Sequence, residues 1–225
     1  MGKITKKLKA DDIGDMGIGA MIVFIAMVLV AGIAASVLIQ TANRLEIQAM
    51  KTGQETIGEV ATGLAVSAIT GYRTAPQVNL SLMTISIQPR SGSFSIDLEQ
   101  TYIELSDSGK KVVLMYDPAS FIDTTAVNGN FFTAGFYTTL SATTFGIIVL
   151  EDADGSLSSG TPVINTGDQV ILTVNLNLVF SGVPALGLPT RTAVWGLIQP
   201  EEGAPGVFAF TTPASYAADL VYSLY

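Results

Sequence analysis

Two hydrophobic periods divide the chain. From Met16 to Asn43 no residue is charged, and Asp15 and Arg44 flank the stretch. Within it, Ile18 to Leu38 is apolar almost throughout and exceeds the roughly 20 residues that a helix needs to cross a bilayer core. Arg44 to Ala68 contains no proline, and apolar residues recur at Leu45, Ile47, Met50, Ile57, Val60, Ala61, Leu64, Ala65 and Ala68. Steps of three, four and seven among them mark one face of a helix. A single helix is therefore predicted over 15–70, with Gly71 and Pro76 as its stop. Gly53, Gly58 and Gly63 each weaken it by up to about 1 kcal/mol, so packing must supply the rest. At 1.5 Å per residue the stretch from Met16 to Ala68 would reach about 80 Å, too long for a bilayer alone. Its outer half needs protein partners.

After a linker at 71–77 the period changes to two. Asn79–Gln88, Phe94–Leu98 and Val170–Phe180 alternate apolar and polar residues. Tyr102–Leu105, Lys111–Tyr116, Gly146–Leu150, Arg191–Ile198 and Val207–Thr211 are further strand candidates. Turn residues separate them, as in Pro89-Arg-Ser-Gly92 and Glu201-Glu-Gly-Ala-Pro-Gly206. Short strands at this spacing over 78–225 predict a β-sandwich, immunoglobulin-like in layout but without its Cys-Trp-Cys pattern. The lone Trp195 is expected in the core. The fold class is α+β, a long N-terminal hydrophobic helix followed by a β-sandwich head.

Composition narrows the chemistry. The 225 residues include no cysteine and no histidine, which excludes thiolate nucleophiles, a Ser-His-Asp triad and imidazole metal sites. A net charge of −8 argues against nucleic acid as a partner. No catalytic or cofactor-binding residue and no metal ligand is assigned. Asp152-Ala-Asp-Gly155 after Glu151 lacks the twelve-residue calcium loop, with Ser156 and Val163 at the fifth and twelfth positions, and reads as a solvated acidic turn. Glu201 and Glu202 are adjacent, so an extended backbone would point them to opposite sides. Asn79-Leu-Ser81 is an N-glycosylation sequon, making Asn79 a candidate acceptor.

The first fourteen residues carry Lys3, Lys6, Lys7 and Lys9 against Asp11 and Asp12. This positive end stays on the cytoplasmic side and sends everything beyond Asn43 outward. No small-residue cleavage site follows the apolar run, so the helix is expected to be retained and any processing to fall before it.

Two segments carry a family resemblance. Gly17-Ile-Gly-Ala-Met-Ile-Val-Phe-Ile-Ala-Met-Val-Leu-Val-Ala31 resembles the N-terminal core of archaellins, the type IV pilin-like subunits of the archaeal swimming filament. Arg191-Thr-Ala-Val-Trp-Gly-Leu-Ile-Gln-Pro-Glu-Glu-Gly-Ala-Pro-Gly-Val-Phe-Ala-Phe-Thr-Thr-Pro213 resembles the family's C-terminal signature, and Tyr102–Asp107 and Val112–Asp117 fit its middle region. The resemblance implies a leader, residues 1–14, removed by a prepilin-type membrane peptidase between Gly14 and Asp15. Ile13 stands where the family commonly has Lys or Arg. It also implies a filament core built from Ile18, Met21, Ile22, Phe24, Ile25, Met27, Val28, Leu29, Val30, Ile33, Val37 and Leu38. Partners would be copies of itself or other archaellins, a membrane assembly platform, and a separate motor ATPase, since the chain has no phosphate-binding Gly-x-x-x-x-Gly-Lys loop. The subunit would sit in the membrane before assembly and in an extracellular filament after it. An adhesive type IV-like pilin, or a single-pass membrane protein with an extracellular β domain, would share the helix and the head.

Overall fold

The computed structural model describes residues 2–74, 78–123, 126, 129–132, 135–181, 186–217 and 220–225; the side chains of residues 2–15 and of Phe136 lie outside the description. The chain falls into two units, 1–55 and 56–225. Helix α1 spans Gly2–Ala61. Its final turn, within the second unit, closes with the Thr62 amide donating to the Gly58 carbonyl at 2.8 Å.

The helix ends earlier than its spacing predicts. Leu64–Tyr72 is strand β1, not the last turns of α1, so the β domain already includes the first two residues of the expected linker; residues 75–77 of that linker lie outside the described set. The reason is a bulge between Val66 and Ala68 in the pairing of β1 with β2, Leu82–Pro89. The extra residue shifts the pleat, so Leu64 and Ile69, five apart, both enter the core. A broken period of two then mimics helical spacing. Eight ladder partners on β2 outweigh the helical alternative for a segment containing Val66, Ile69 and Thr70, whose branched side chains suit a pleat.

The remaining strands are β3 (Ile96–Asp97), β4 (Tyr102–Ser106), β5 (Lys111–Ile122), β6 (Thr144–Glu151), β7 (Val163–Ile164), β8 (Gln169–Asn175), β9 (Ala193–Gln199), β10 (Gly206–Thr211) and β11 (Val221–Ser223). The alternation predicted to run on to Phe180 stops at Asn175, and Leu176–Val179 forms a helical turn, α2. Leu176 and Val179, three apart, are both buried there, a spacing that a helix satisfies and a strand does not.

Among the described residues, nine strands form one sheet in the order β10-β9-β4-β5-β6-β8-β2-β1-β11, and β3 pairs with β7 apart from it. The sheet folds over until β10 reaches β1. Leu64 N donates to the Ala204 carbonyl at 3.2 Å, and a Cβ on Gly206 would lie 3.3 Å from Val66 Cγ2. The layers of the expected sandwich are thus parts of one hydrogen-bonded sheet. Between them lies a core containing Leu64, Ile85, Ile103, Leu114, Phe145, Leu172, Ile198 and Phe208. The central strands β2, β8 and β6 are covered on both faces, because Leu82, Ile148 and Ile171 point into a second cluster with Phe132, Tyr137 and Leu140. Strands buried on both sides read as continuous apolar runs, as Ile147-Ile-Val-Leu150 does.

Tyr116, on β5, donates its hydroxyl to the Ser159 carbonyl at 2.9 Å. Burial, with the carboxylates of Asp117 and Glu99 adding to it, pushes its pKa up to about 12 from 10.0. Burial raises the Tyr137 hydroxyl as well. The folded protein holds these protons more tightly than the unfolded chain, so their contribution is complete below pH 10 and declines as pH rises from about 10 towards 12. The denaturant midpoint of the β domain is expected to fall over that window, and Tyr116→Phe to flatten the fall without removing the part due to Tyr137. A slope identical in wild type and Tyr116→Phe would exclude Tyr116 as a contributor.

Candidate functional site

Helix α1 is apolar around its whole circumference from Met16 to Ile39. Its large side chains range from 54% exposed at Val28 to 80% at Val60. All twelve residues predicted for a filament core are exposed in the single chain. Ile22, Val23, Ala26, Met27, Val30, Ala31 and Ala34 line a shallow groove in which the small alanines leave room between longer neighbours. A helix apolar on every side requires either lipid or other helices around it. Polar side chains towards its outer end are satisfied locally, with Thr41 Oγ1 donating to the Val37 carbonyl at 2.7 Å. Gly14 and Asp15 fall within α1, but their side chains lie outside the described residues.

The junction after α1 is tightly held within the second unit. Thr62 is buried, and its carbonyl accepts from Ala204 N at 2.8 Å. Thr62 Oγ1 accepts from Phe94 N at 3.2 Å, and Gly63 N donates to Ser93 Oγ at 3.0 Å. Gly63 O also accepts from Arg90 N at 2.9 Å. The Phe94 ring lies where a Cβ on Gly58 would come within 2.9 Å, and Gly203 sits against Thr62 with a φ of +95°. Glu201 and Glu202 are both exposed in the loop carrying Gly203. The C-terminal signature segment therefore grips the end of the helix, a role that its spacing alone does not reveal.

The candidate acceptor Asn79 lies inside the β domain. Asn79 is 6% exposed, and its Nδ2 donates to the Leu186 carbonyl at 3.0 Å. Ser81 is buried, and its Oγ accepts from Thr74 N at 3.2 Å. The nitrogen that would carry a glycan is inside the folded domain.

The acidic turn gains a member the sequence did not suggest. Asp168, just before β8, brings a carboxylate oxygen within 4.8 Å of those of Asp152 and Asp154, a spacing that a cation could bridge. Each carboxylate is already used to shape the turn. Asp152 Oδ1 accepts from Gly155 N at 2.8 Å, Asp154 Oδ2 from Asn165 Nδ2 at 2.7 Å, and buried Asp168 from Ala153 N and Asn165 N at 3.0 and 2.9 Å. Hydrogen bonds from the Ser156 and Asn165 side chains hold Asp154 below its ordinary pKa.

Comparisons with known proteins agree with this arrangement. Residues 14–210 match the archaeal-type flagellin family. The chain is 47% identical over 203 residues to Flagellin B2 of Methanocaldococcus jannaschii, covering 90% of each. The crystal structure of archaeal flagellin FlaB1 from the same organism superposes with a TM-score of 0.65 at 36% identity, over 73% of this chain and 97% of that one. A chain of the archaeal flagellum of Methanospirillum hungatei strain JF1 shares the fold, with a TM-score of 0.59 at 14% identity over 92% of this chain and 98% of that one. The chain belongs to the archaeal-type flagellin family and is a structural subunit of an archaeal filament.

Proposed function

We propose that the chain is made as a membrane-inserted precursor, is cut between Gly14 and Asp15, and then polymerises through α1 with its β domains outward. The observation that carries this reading is the helix itself. From Met16 to Asn43 it carries no charge, and its large side chains are exposed in the single chain. About twenty such side chains, at roughly 1.5–3 kcal/mol each, represent tens of kcal/mol that water cannot accommodate. The membrane satisfies them first, and copies of the same helix satisfy them in the filament. Lipid and helix surfaces are similarly apolar, so the net gain on leaving the membrane is small. A separate assembly platform and a motor ATPase supply the work of extraction, and a prepilin-type peptidase releases the leader. The product is a cell-surface filament for swimming, built from this chain alone or with related subunits.

Peptide mass analysis of material sheared from cells tests this directly. The expected N-terminal peptide begins at Asp15, and the peptide containing Asn79 has its unmodified mass, because that side chain is engaged inside the fold. A chain beginning at Met1 and confined to membranes would overturn the filament reading.

A further inference from the structure

A second apolar surface lies on the β domain, facing away from the core. On β10, β9, β4 and β5 the register sets Val207 opposite Leu197, Leu197 opposite Glu104, and Glu104 opposite Val113. The next row runs Ala209, Trp195, Ser106 and Lys111, and Tyr102 lies opposite Met115. Trp195 is 42% exposed and Met115 65%. The expectation that Trp195 sits in the core is thereby corrected. The inward position beside it is Gly196, over which the Phe208 ring packs so closely that a Cβ would lie 2.1 Å from it. Phe208 fills the core there, and the indole is left on the outer face.

In the central rows of this face the charges pair, and Asp117, two residues beyond Met115 on β5, is an acidic residue at its margin. Lys111 Nζ contacts Glu104 Oε2 at 2.7 Å. From Val78 onward the chain carries thirteen acidic and four basic residues, so this pair leaves twelve against three elsewhere. Two copies of such a domain repel one another over most approaches. These neutral central rows are where like-charged copies meet with the least of that penalty. Trp, Tyr and Met are also the residues enriched at the centres of protein interfaces. A filament subunit spends its working life among its own copies, whose tethering keeps their local concentration high. We propose that the outer face of β10-β9-β4-β5, centred on Trp195 and Met115, packs against the β domain of a second copy in the filament. The proposal rests on the polymer reading above.

The chain lacks cysteine, so single cysteines report on local burial without background. Met115→Cys and Val207→Cys are placed on the face, and Ser158→Cys in the exposed loop between β6 and β7 serves as control. Each variant is labelled with a polyethylene-glycol maleimide, once as sheared filaments and once as full chain dispersed in detergent. Met115→Cys and Val207→Cys are expected to react at least ~10-fold more slowly in filaments, since an interface core excludes solvent and reagent. Ser158→Cys serves to confirm that reagent reaches filament surfaces. Equal rates at Met115→Cys and Val207→Cys in the two states would overturn the proposal while leaving the polymer intact. If both face variants are processed and retain wild-type circular dichroism but yield no filament, while Ser158→Cys yields filaments, the face is required for assembly. Absence of filaments from all three and from wild type would instead overturn the polymer reading.

Discussion

Val28→Asp is expected to abolish filament recovery, lowering sheared protein at least ~100-fold while the β domain still folds. Val28 lies near the middle of the charge-free stretch between Asp15 and Arg44. An aspartate at the centre of a membrane helix costs about 2.5–3.5 kcal/mol on insertion scales. That penalty falls on the membrane-inserted precursor from which the filament grows. Since about 1.4 kcal/mol is a factor of ten in an equilibrium constant, ~3 kcal/mol lowers the inserted population available for growth roughly 100-fold. The core of the β domain is built from Leu64 onward, so its circular dichroism should not change. Val28→Leu keeps the surface apolar and should assemble. Wild-type yields of sheared filament from Val28→Asp would show that α1 is not the polymerising surface.

The second large effect is expected at the junction after α1. Gly203→Ala should destabilise the β domain by about 3 kcal/mol or more, from left-handed strain together with a backbone clash. Gly203 has a φ of +95°, and an added Cβ would fall 2.3 Å from the Thr62 carbonyl oxygen and 2.6 Å from its carbon. The backbone cannot retreat freely, because Ala204 N donates to Thr62 O at 2.8 Å and Leu64 N to Ala204 O at 3.2 Å. Relief of the clash therefore costs one or both bonds, each worth about 0.5–1.5 kcal/mol. Gly92 is the matched control, with a φ of +87° and nothing within 4 Å of its added Cβ. Gly92→Ala should cost only the conformational part, about 1–2 kcal/mol. Denaturant midpoints of the full chain in detergent separate the two. Equal losses would mean that the contact with Thr62 adds nothing to the strain.

The junction also shows where local pattern stops being informative. Leu64, Ala65 and Ala68 sit at helical spacing, yet a single bulge on β1 makes that spacing compatible with a strand. The choice between them depends on ladder partners at Leu82–Pro89, which no window around β1 contains. Strands without a bulge, such as β10, keep a strict alternation and are recognisable from the residues alone. The grip on Thr62 and Gly63 by Ser93, Phe94 and Ala204 joins positions about 30 and 140 residues apart, and nothing in their neighbourhoods marks them as a unit.

What the amino-acid order determined by itself is what depends on local physics. A charge-free apolar run cannot be soluble alone, so the helix and its need for partners follow from Met16–Asn43 directly. An alternating run has one face to bury, so most strands of the head follow as well. Only the tertiary structure decided where side chains of equal local merit ended up. Trp195 lies outside because Phe208 occupies the space above Gly196, and Asn79 lies inside because Leu186 supplies its acceptor. Asp168 joins Asp152 and Asp154 across the loop before β8. Each of these outcomes is a competition for volume or for a hydrogen-bond partner between residues distant in sequence, and such a competition exists only once the sheet has closed.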